Sequence, residues 1–264
     1  MEKIRLGKTG MMVSKLGFGG APLEKSSEEE SIAVVKKCID LGINFIDTAA
    51  EYHSEGRIGK AIAGQRDKVL ISTRSDCLSR EYVENNFQQS LKLLGTSYVD
   101  LYSFHGVSDI ETYKRCIDPK GPLEYLQAAK KAGSIRHIGI TTHSRSLGRE
   151  AIKSGLFETV MIAVNFVYYQ GAEELLPLAR QHDVGFMIMK PLGAGRLVNI
   201  PVAFKFLSQY KDAITLVGLE KVHEIDEIMQ VLQGPLEMTA AEKETMMKMR
   251  AAAAGIKQAF YLQD

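Results

Sequence analysis

The stretch NFIDTAAEYHSEGRIG, residues 44–59, holds an apolar run that ends on an acid, Asp47. A tyrosine, Tyr52, follows five residues later, just before helix-opening residues at Ser54 and Glu55. A buried strand has no structural use for a charge at its tip, so Asp47 is expected to do chemistry or to hold a group that does. The next two apolar runs end in the same manner, LIST on Arg74 and LYSF on His105. A carboxylate, a phenol, a guanidinium and an imidazole form an acid–base set. A phenol of pKa ~10 is protonated near neutrality and can act as an acid, and a neighbouring cation makes its proton easier to release. Each residue alone also has a structural use: the Asp as a helix cap, the Tyr as amphipathic filler, the Arg in solvent, the His as a satisfied hydrogen-bonding group. Convergence on one rim is what favours chemistry.

That convergence depends on the elements carrying the four residues. Short β-branched or apolar runs, which predict strands, lie at Lys15–Gly19, Ile43–Asp47, Val69–Thr73, Val99–Phe104, Arg136–Ile140, Thr159–Val164, Gly185–Met189 and Ile214–Val217. Amphipathic runs alternate with them, at Glu28–Leu41, Glu81–Leu94, Pro122–Ala132, Ala172–His182 and Val222–Leu232. The first of these has acids in its opening turn and Gly42 past its end, as a helix prefers. Eight βα units within about 250 residues predict an α/β fold, a (β/α)8 TIM barrel, whose active site lies at the C-terminal strand ends. The leading KIRLGKTGMMVSKLG predicts an N-terminal β-hairpin turning at Lys8-Thr9-Gly10. No linker or low-complexity tract interrupts the pattern, so residues 1–264 are expected to form one domain. Ala240–Asp264 is expected to add one helix and a tail containing Phe260 and Tyr261.

Composition narrows the classes. Hydrophobic content of 45% and charged content of 25% are ordinary for a globular chain, and a net charge of +1 offers no field for nucleic acid or an anionic membrane. No apolar run suggests a signal peptide or a membrane span. Cys38, Cys77 and Cys116 include no CxxC pair, which favours free thiols in a reducing, cytoplasmic setting.

Several ordered motifs together resemble the aldo-keto reductases from about residue 4 to about residue 233. NFIDTAAEYHSEGRIGKAI resembles that family's strand-two signature, VDLYSFHG its strand-four segment, GSIRHIGIT its strand-five segment, and RLGKTGMMVSKLGFGG its hairpin and first strand. MKPLGAGRL is similar to a branch whose members often carry a cysteine-rich, iron–sulfur-binding tail; no cysteine follows Cys116, so no cluster is expected. The resemblance implies that a nicotinamide cofactor delivers hydride to an aldehyde or ketone carbonyl while Tyr52 protonates the developing alkoxide. It implies that His105 orients the substrate oxygen and that Asp47 holds a cation under Tyr52. The family has lysine there, and this chain has Arg74. Guanidinium keeps the charge but is bulkier and does not lose its proton.

The same resemblance implies the cofactor contacts. Thr141 and Thr142, followed by His143, stand where a carboxamide-binding Ser-Asn is usual, and Asn165 stands where a glutamine is usual. Met189 matches the residue stacked on the nicotinamide. The pyrophosphate is expected over Lys190, Pro191, Leu192, Gly193, Gly195 and Arg196, with the N–H groups of Gly193 and Gly195 approaching phosphate oxygens. Gly19, Gly20, Asp47 and Gly218 complete the implied contacts. At the adenine end Glu224 replaces a usual Arg or Gln, and Lys221 is the obvious cation. NADPH is the expected cofactor, with NADH the alternative, because a carboxylate repels a 2′-phosphate and can accept from a ribose hydroxyl.

Two other readings compete. A metal-dependent hydrolase on the same barrel would use His53, His105 and His143, without the HxH pair expected on the first strand. A cofactor-binding regulatory protein with little or no turnover is the other, since fold does not fix function and Arg74 departs from the family pattern.

Overall fold

The computed structural model describes residues 1–253. Eight parallel strands close into a barrel: β3 (Leu16–Gly19), β4 (Phe45–Asp47), β5 (Leu70–Asp76), β6 (Val99–His105), β7 (Ile135–Thr142), β8 (Thr159–Ala163), β9 (Gly185–Met189) and β10 (Ala213–Gly218), with β10 pairing back onto β3. All the predicted strands are present. Four of them, β5, β6, β7 and β10, run further than their apolar cores, because pairing continues past them. Arg74 pairs with Ser103 and Asp76 with His105, so Arg74, His105, Thr141 and Thr142 lie within strands, not beyond them.

The period of two along a strand decides which side chains face inward. Phe45, Leu70, Leu101, Met161, Met187, Ile214 and Leu216 pack together inside the barrel. Residues at even spacing above them therefore also point in, which turns Asp47, Arg74, His105 and Met189 to the same interior space. The intervening residues, such as Tyr102 and Phe104, pack outward beneath the helices.

The predicted hairpin is β1 (Lys3–Arg5) against β2 (Met12–Ser14), joined through a turn at Gly7–Thr9. Its buried Leu6, Met11 and Val13 join the interior cluster and stopper the N-terminal end of the barrel. Gly7 is required there: its φ is +50°, and a Cβ would lie 2.2 Å from the Gly185 backbone nitrogen.

The helices are α1 (Glu28–Asp40), α2 (Glu55–Ile62), α3 (Arg80–Leu94), α4 (Ile110–Cys116), α5 (Pro122–Lys131), α6 (Arg145–Ser154), α7 (Gln170–Gln181), α8 (Ile200–Leu207), α9 (Val222–Gln233) and α10 (Ala240–Ala253). α1, α3 and α6 open on the serines Ser27, Ser79 and Ser144, each accepting a backbone N–H. The three cysteines are buried free thiols. No helix among the described residues is long and apolar enough to cross a membrane. Phe260 and Tyr261 lie outside the described residues.

One charged cluster ties α5, β7 and β8 together. Glu158 accepts from Lys130 Nζ at 2.6 Å and from the Ile138 N–H at 3.0 Å, and lies 2.6 Å from His137 Nδ1. Burial alone would push its carboxyl up, but the hydrogen bonds from His137, Lys130 and Ile138 outweigh it and bring it down to about 2 from an ordinary 4.5. Because the folded value is depressed, the stability Glu158 contributes is present above pH 4.5 and is lost as pH falls towards 2. Thermal midpoints across that window should fall less steeply in Glu158→Gln than in wild type. Equal slopes would remove Glu158 from the acid sensitivity.

Candidate active site

At the C-terminal end of the barrel, four of the residues singled out above make direct contact. Arg74 Nη1 donates to both Asp47 carboxylate oxygens at 2.6 Å, and Nη2 donates to Tyr52 Oη at 3.0 Å. Tyr52 Oη is in turn 3.3 Å from His105 Nε2, with the two rings edge-on. Asp47 and Arg74 are almost fully buried, at 2% and 4% exposure, so the charges are desolvated and each depends on the other. The Ser72 hydroxyl gives Asp47 a further donor at 2.8 Å. Burial alone would lower Arg74, but Asp47 and Tyr52 more than reverse this and hold it above its ordinary value. A fixed positive charge thus sits against the phenol oxygen.

Local structure sets these positions. Tyr52 stands on a single 3-10 turn, Ala50–Tyr52, that begins directly after the β4 tip. The turn is held from below by the hydroxyls of Thr48 and Ser54, 2.7 Å apart, and α2 follows. Glu55, buried behind this turn, accepts from the Thr73 hydroxyl at 2.6 Å. Burial raises its pKa.

Sequence reading missed Glu51 and Asp76. Glu51 Oε2 is 2.9 Å from His105 Nδ1, its Oε1 accepts from the Asp76 N–H at 2.8 Å, and Asp76 Oδ1 is 3.5 Å from His105 Nδ1. The signal was available: Glu51 precedes Tyr52 directly, and Asp76 lies two residues beyond Arg74, on the same inward face. Ligand atoms of Glu51, Asp76 and His105 lie within 4.8 Å of one another. Their mutual hydrogen bonds already account for that spacing. His53 and His143 do not join His105 in a metal-ligand cluster among the described residues, so the three-histidine arrangement is not formed.

Beside Tyr52 a cavity of about 460 Å³ runs outward from Asp47 and Arg74 over β9 and β10 to the start of α9. Of the implied cofactor residues, Gly19, Asp47, Met189, Lys190, Pro191, Leu192, Gly195, Gly218 and Glu224 line it. Lys190, with a left-handed backbone at φ +57°, is drawn down to about 8 by burial and by Arg196. Lys25, not foreseen from the sequence, supplies another cation at the outer end, 3.8 Å from Glu220.

The other residues expected at the cofactor, together with Gly195 and Glu224 of the lining, have these places and partners within the chain. The N–H groups of Gly193 and Gly195 donate to Lys190 O and Leu192 O, both at 3.0 Å, so this loop closes on itself as a helical turn and spends those donors internally. Arg196 and Lys221 lie outside the cavity lining. Asn165 is a buried brace: its Oδ1 accepts from the Val167 and Tyr168 N–H groups, and its Nδ2 donates to Lys190 O at 3.1 Å. Thr141 Oγ1 accepts from the Gly106 N–H, while Thr142 accepts from the Ser144 N–H and packs outward against α6. Gly20 permits close approach of Asp47 O, to which its N–H donates at 2.7 Å, and does not line the cavity. Glu224 caps α9, one oxygen accepting from the N–H groups of Glu220 and Lys221 at 2.6 and 2.9 Å.

The fold and site together are a closed parallel barrel with an acid–base set at its strand tips and a cavity beside it. The chain belongs to the aldo/keto reductase family, whose model matches residues 15–200 and whose members generally bind nicotinamide cofactors. It is 25% identical to the uncharacterized oxidoreductase YqkF of Bacillus subtilis, over 100% of this chain and 89% of that protein. It is 30% identical to probable aldo-keto reductase 1 of Glycine max, over 74% of this chain and 60% of the relative's length. In fold it resembles the holo form of aldo-keto reductase AKR11C1 from Bacillus halodurans, with a TM-score of 0.79 at 23% identity, covering 94% of this chain and 96% of the other.

Proposed function

We propose that this protein is an NADPH-dependent reductase of small aldehydes or ketones with Tyr52 as its proton donor. The observation that carries this reading is the phenol oxygen of Tyr52, held 3.0 Å from Arg74 Nη2 and 3.3 Å from His105 Nε2 beside the cavity. The residues around the cavity suit a nicotinamide dinucleotide. Met189, Leu216 and Val217 offer an apolar wall near Tyr52, and Lys190 and Lys25 offer charge for phosphates further out. When bound, that cofactor supplies hydride to a carbonyl carbon. Tyr52 gives its Oη proton to the carbonyl oxygen as negative charge builds there, and Arg74 Nη2 stays on the phenolate left behind. Since guanidinium does not deprotonate, that phenolate always meets a full positive charge. Asp47 keeps Arg74 in place, and His105 bounds the space where the carbonyl oxygen sits. This direct tie between Arg74 and Tyr52 favours an enzyme over a cofactor-binding protein without turnover, because the charge is where the lysine would deliver it.

Cofactor choice follows from the lining charges. Three cations, Lys25, Arg74 and Lys190, face three acids, Asp47, Glu220 and Glu224, leaving no excess to select strongly for a 2′-phosphate. In a fluorescence titration both NADPH and NADH are expected to saturate, with NADPH favoured by less than about tenfold, equivalent to ~1.4 kcal/mol. Absence of saturable binding by either one would refute the cofactor assignment.

A further inference from the structure

We infer that Glu51 is a positioning residue for His105, so that one turn carries both the proton donor and the group that aims its neighbour; this rests on Tyr52 being the donor. Glu51 is clamped at both oxygens. Oε1 accepts from the Asp76 N–H at 2.8 Å, and Oε2 lies 2.9 Å from His105 Nδ1. An ionised carboxylate only accepts hydrogen bonds, so the proton of a neutral His105 is held on Nδ1. Nε2 is then the nitrogen presented to Tyr52 Oη, 3.3 Å away, across rings inclined at 88°.

The surroundings fit this assignment. Burial alone would raise the Glu51 carboxyl, but hydrogen bonds from His105 and the Asp76 N–H hold it below its ordinary value. Asp76 faces the same nitrogen at 3.5 Å, and the Tyr82 hydroxyl reaches Glu51 Oε1 at 3.5 Å. His143, the other imidazole nearby, is brought down to about 4 by burial, Lys190 and His105, and is neutral at physiological pH. Glu51 Oε1 ties the turn to β5 through the Asp76 N–H, and the turn has bonds of its own besides. The turn has its backbone bond from Tyr52 N–H to Ala49 O at 3.1 Å and the Thr48–Ser54 hydroxyl pair. The carboxylate acts outward, on the histidine, much as an orienting Asp fixes the tautomer of a catalytic His in hydrolases.

The test combines ¹⁵N NMR of the His105 imidazole, assigned by its loss in His105→Asn, with kinetics on one aldehyde. In wild type the neutral ring is expected to carry its proton on Nδ1. Glu51→Ala should release that preference and lower kcat by about 10- to 100-fold, with the NADPH dissociation constant unchanged. Glu51→Asp should recover part of both. A wild-type proton on Nε2, an unaltered tautomer in Glu51→Ala, or a kcat within about twofold of wild type each overturns the inference. Full activity in Tyr52→Phe would instead overturn the proton-donor reading, and the NMR comparison would still judge the contact between Glu51 and His105.

Discussion

Tyr52→Phe is expected to lower kcat for carbonyl reduction by about 10²- to 10⁴-fold, the usual worth of a positioned general acid. The substitution removes one oxygen and little else. The ring's edge-on contact with His105, at 5.4 Å between centroids, and its place under the Arg74 guanidinium, at 5.2 Å, both survive. Arg74 loses one acceptor but keeps Asp47, so the charge pair stays closed. NADPH affinity should therefore change little, because the phenol acts on the substrate oxygen and not on the dinucleotide. Both quantities are read from one preparation, kcat by NADPH oxidation with an aldehyde and affinity by fluorescence. Equal turnover in the variant would place proton donation elsewhere on the rim.

The second large effect concerns Arg74. Arg74→Ala leaves the Asp47 carboxylate buried, with the Ser72 hydroxyl as its one remaining hydrogen-bond donor among the described residues. Breaking a buried pair in this way costs about 3–5 kcal/mol, visible in urea denaturation, and the loss of positive charge at Tyr52 should abolish most turnover. Arg74→Lys separates the two losses. Arg74 Nε is buried without a hydrogen-bond partner among the described residues, a situation that costs about 1–3 kcal/mol. Lysine removes that group while keeping a charge for Asp47, so stability should hold. Turnover should still fall, because one ammonium must serve an acid and a phenol that two guanidinium nitrogens now serve separately. Were Arg74→Ala as active as wild type, Arg74 would have no catalytic part.

The barrel was legible because its strands are fully buried and so read as short apolar runs, while the helices between them are one-sided. Helices that escaped notice broke those patterns. α4 has seven residues, α6 carries Gly148 within it, and α8 opens IPVAF, whose β-branched residues and aromatic ring read equally well as a strand. The acid–base set was legible because a charge closing an apolar run stands out. Glu51 did not stand out, being one acid in a turn rich in polar residues, and its meaning comes from β5 and β6 placing Asp76 and His105 beside it. Asn165, Glu224 and the Gly193–Gly195 turn could be named, but their hydrogen-bond partners within the chain could not. Whether a polar group faces a ligand or its own backbone is decided by hydrogen bonds that local sequence does not reveal.

The hairpin packs Leu6, Met11 and Val13 into the base of the barrel, and above the packed interior the site is a well with one opening. Whatever comes to Tyr52 must leave by the strand tips through which it entered. Substrate, product and both oxidation states of a cofactor would then share one doorway, so the sequence of arrivals and departures is a matter of who lies deeper in the well.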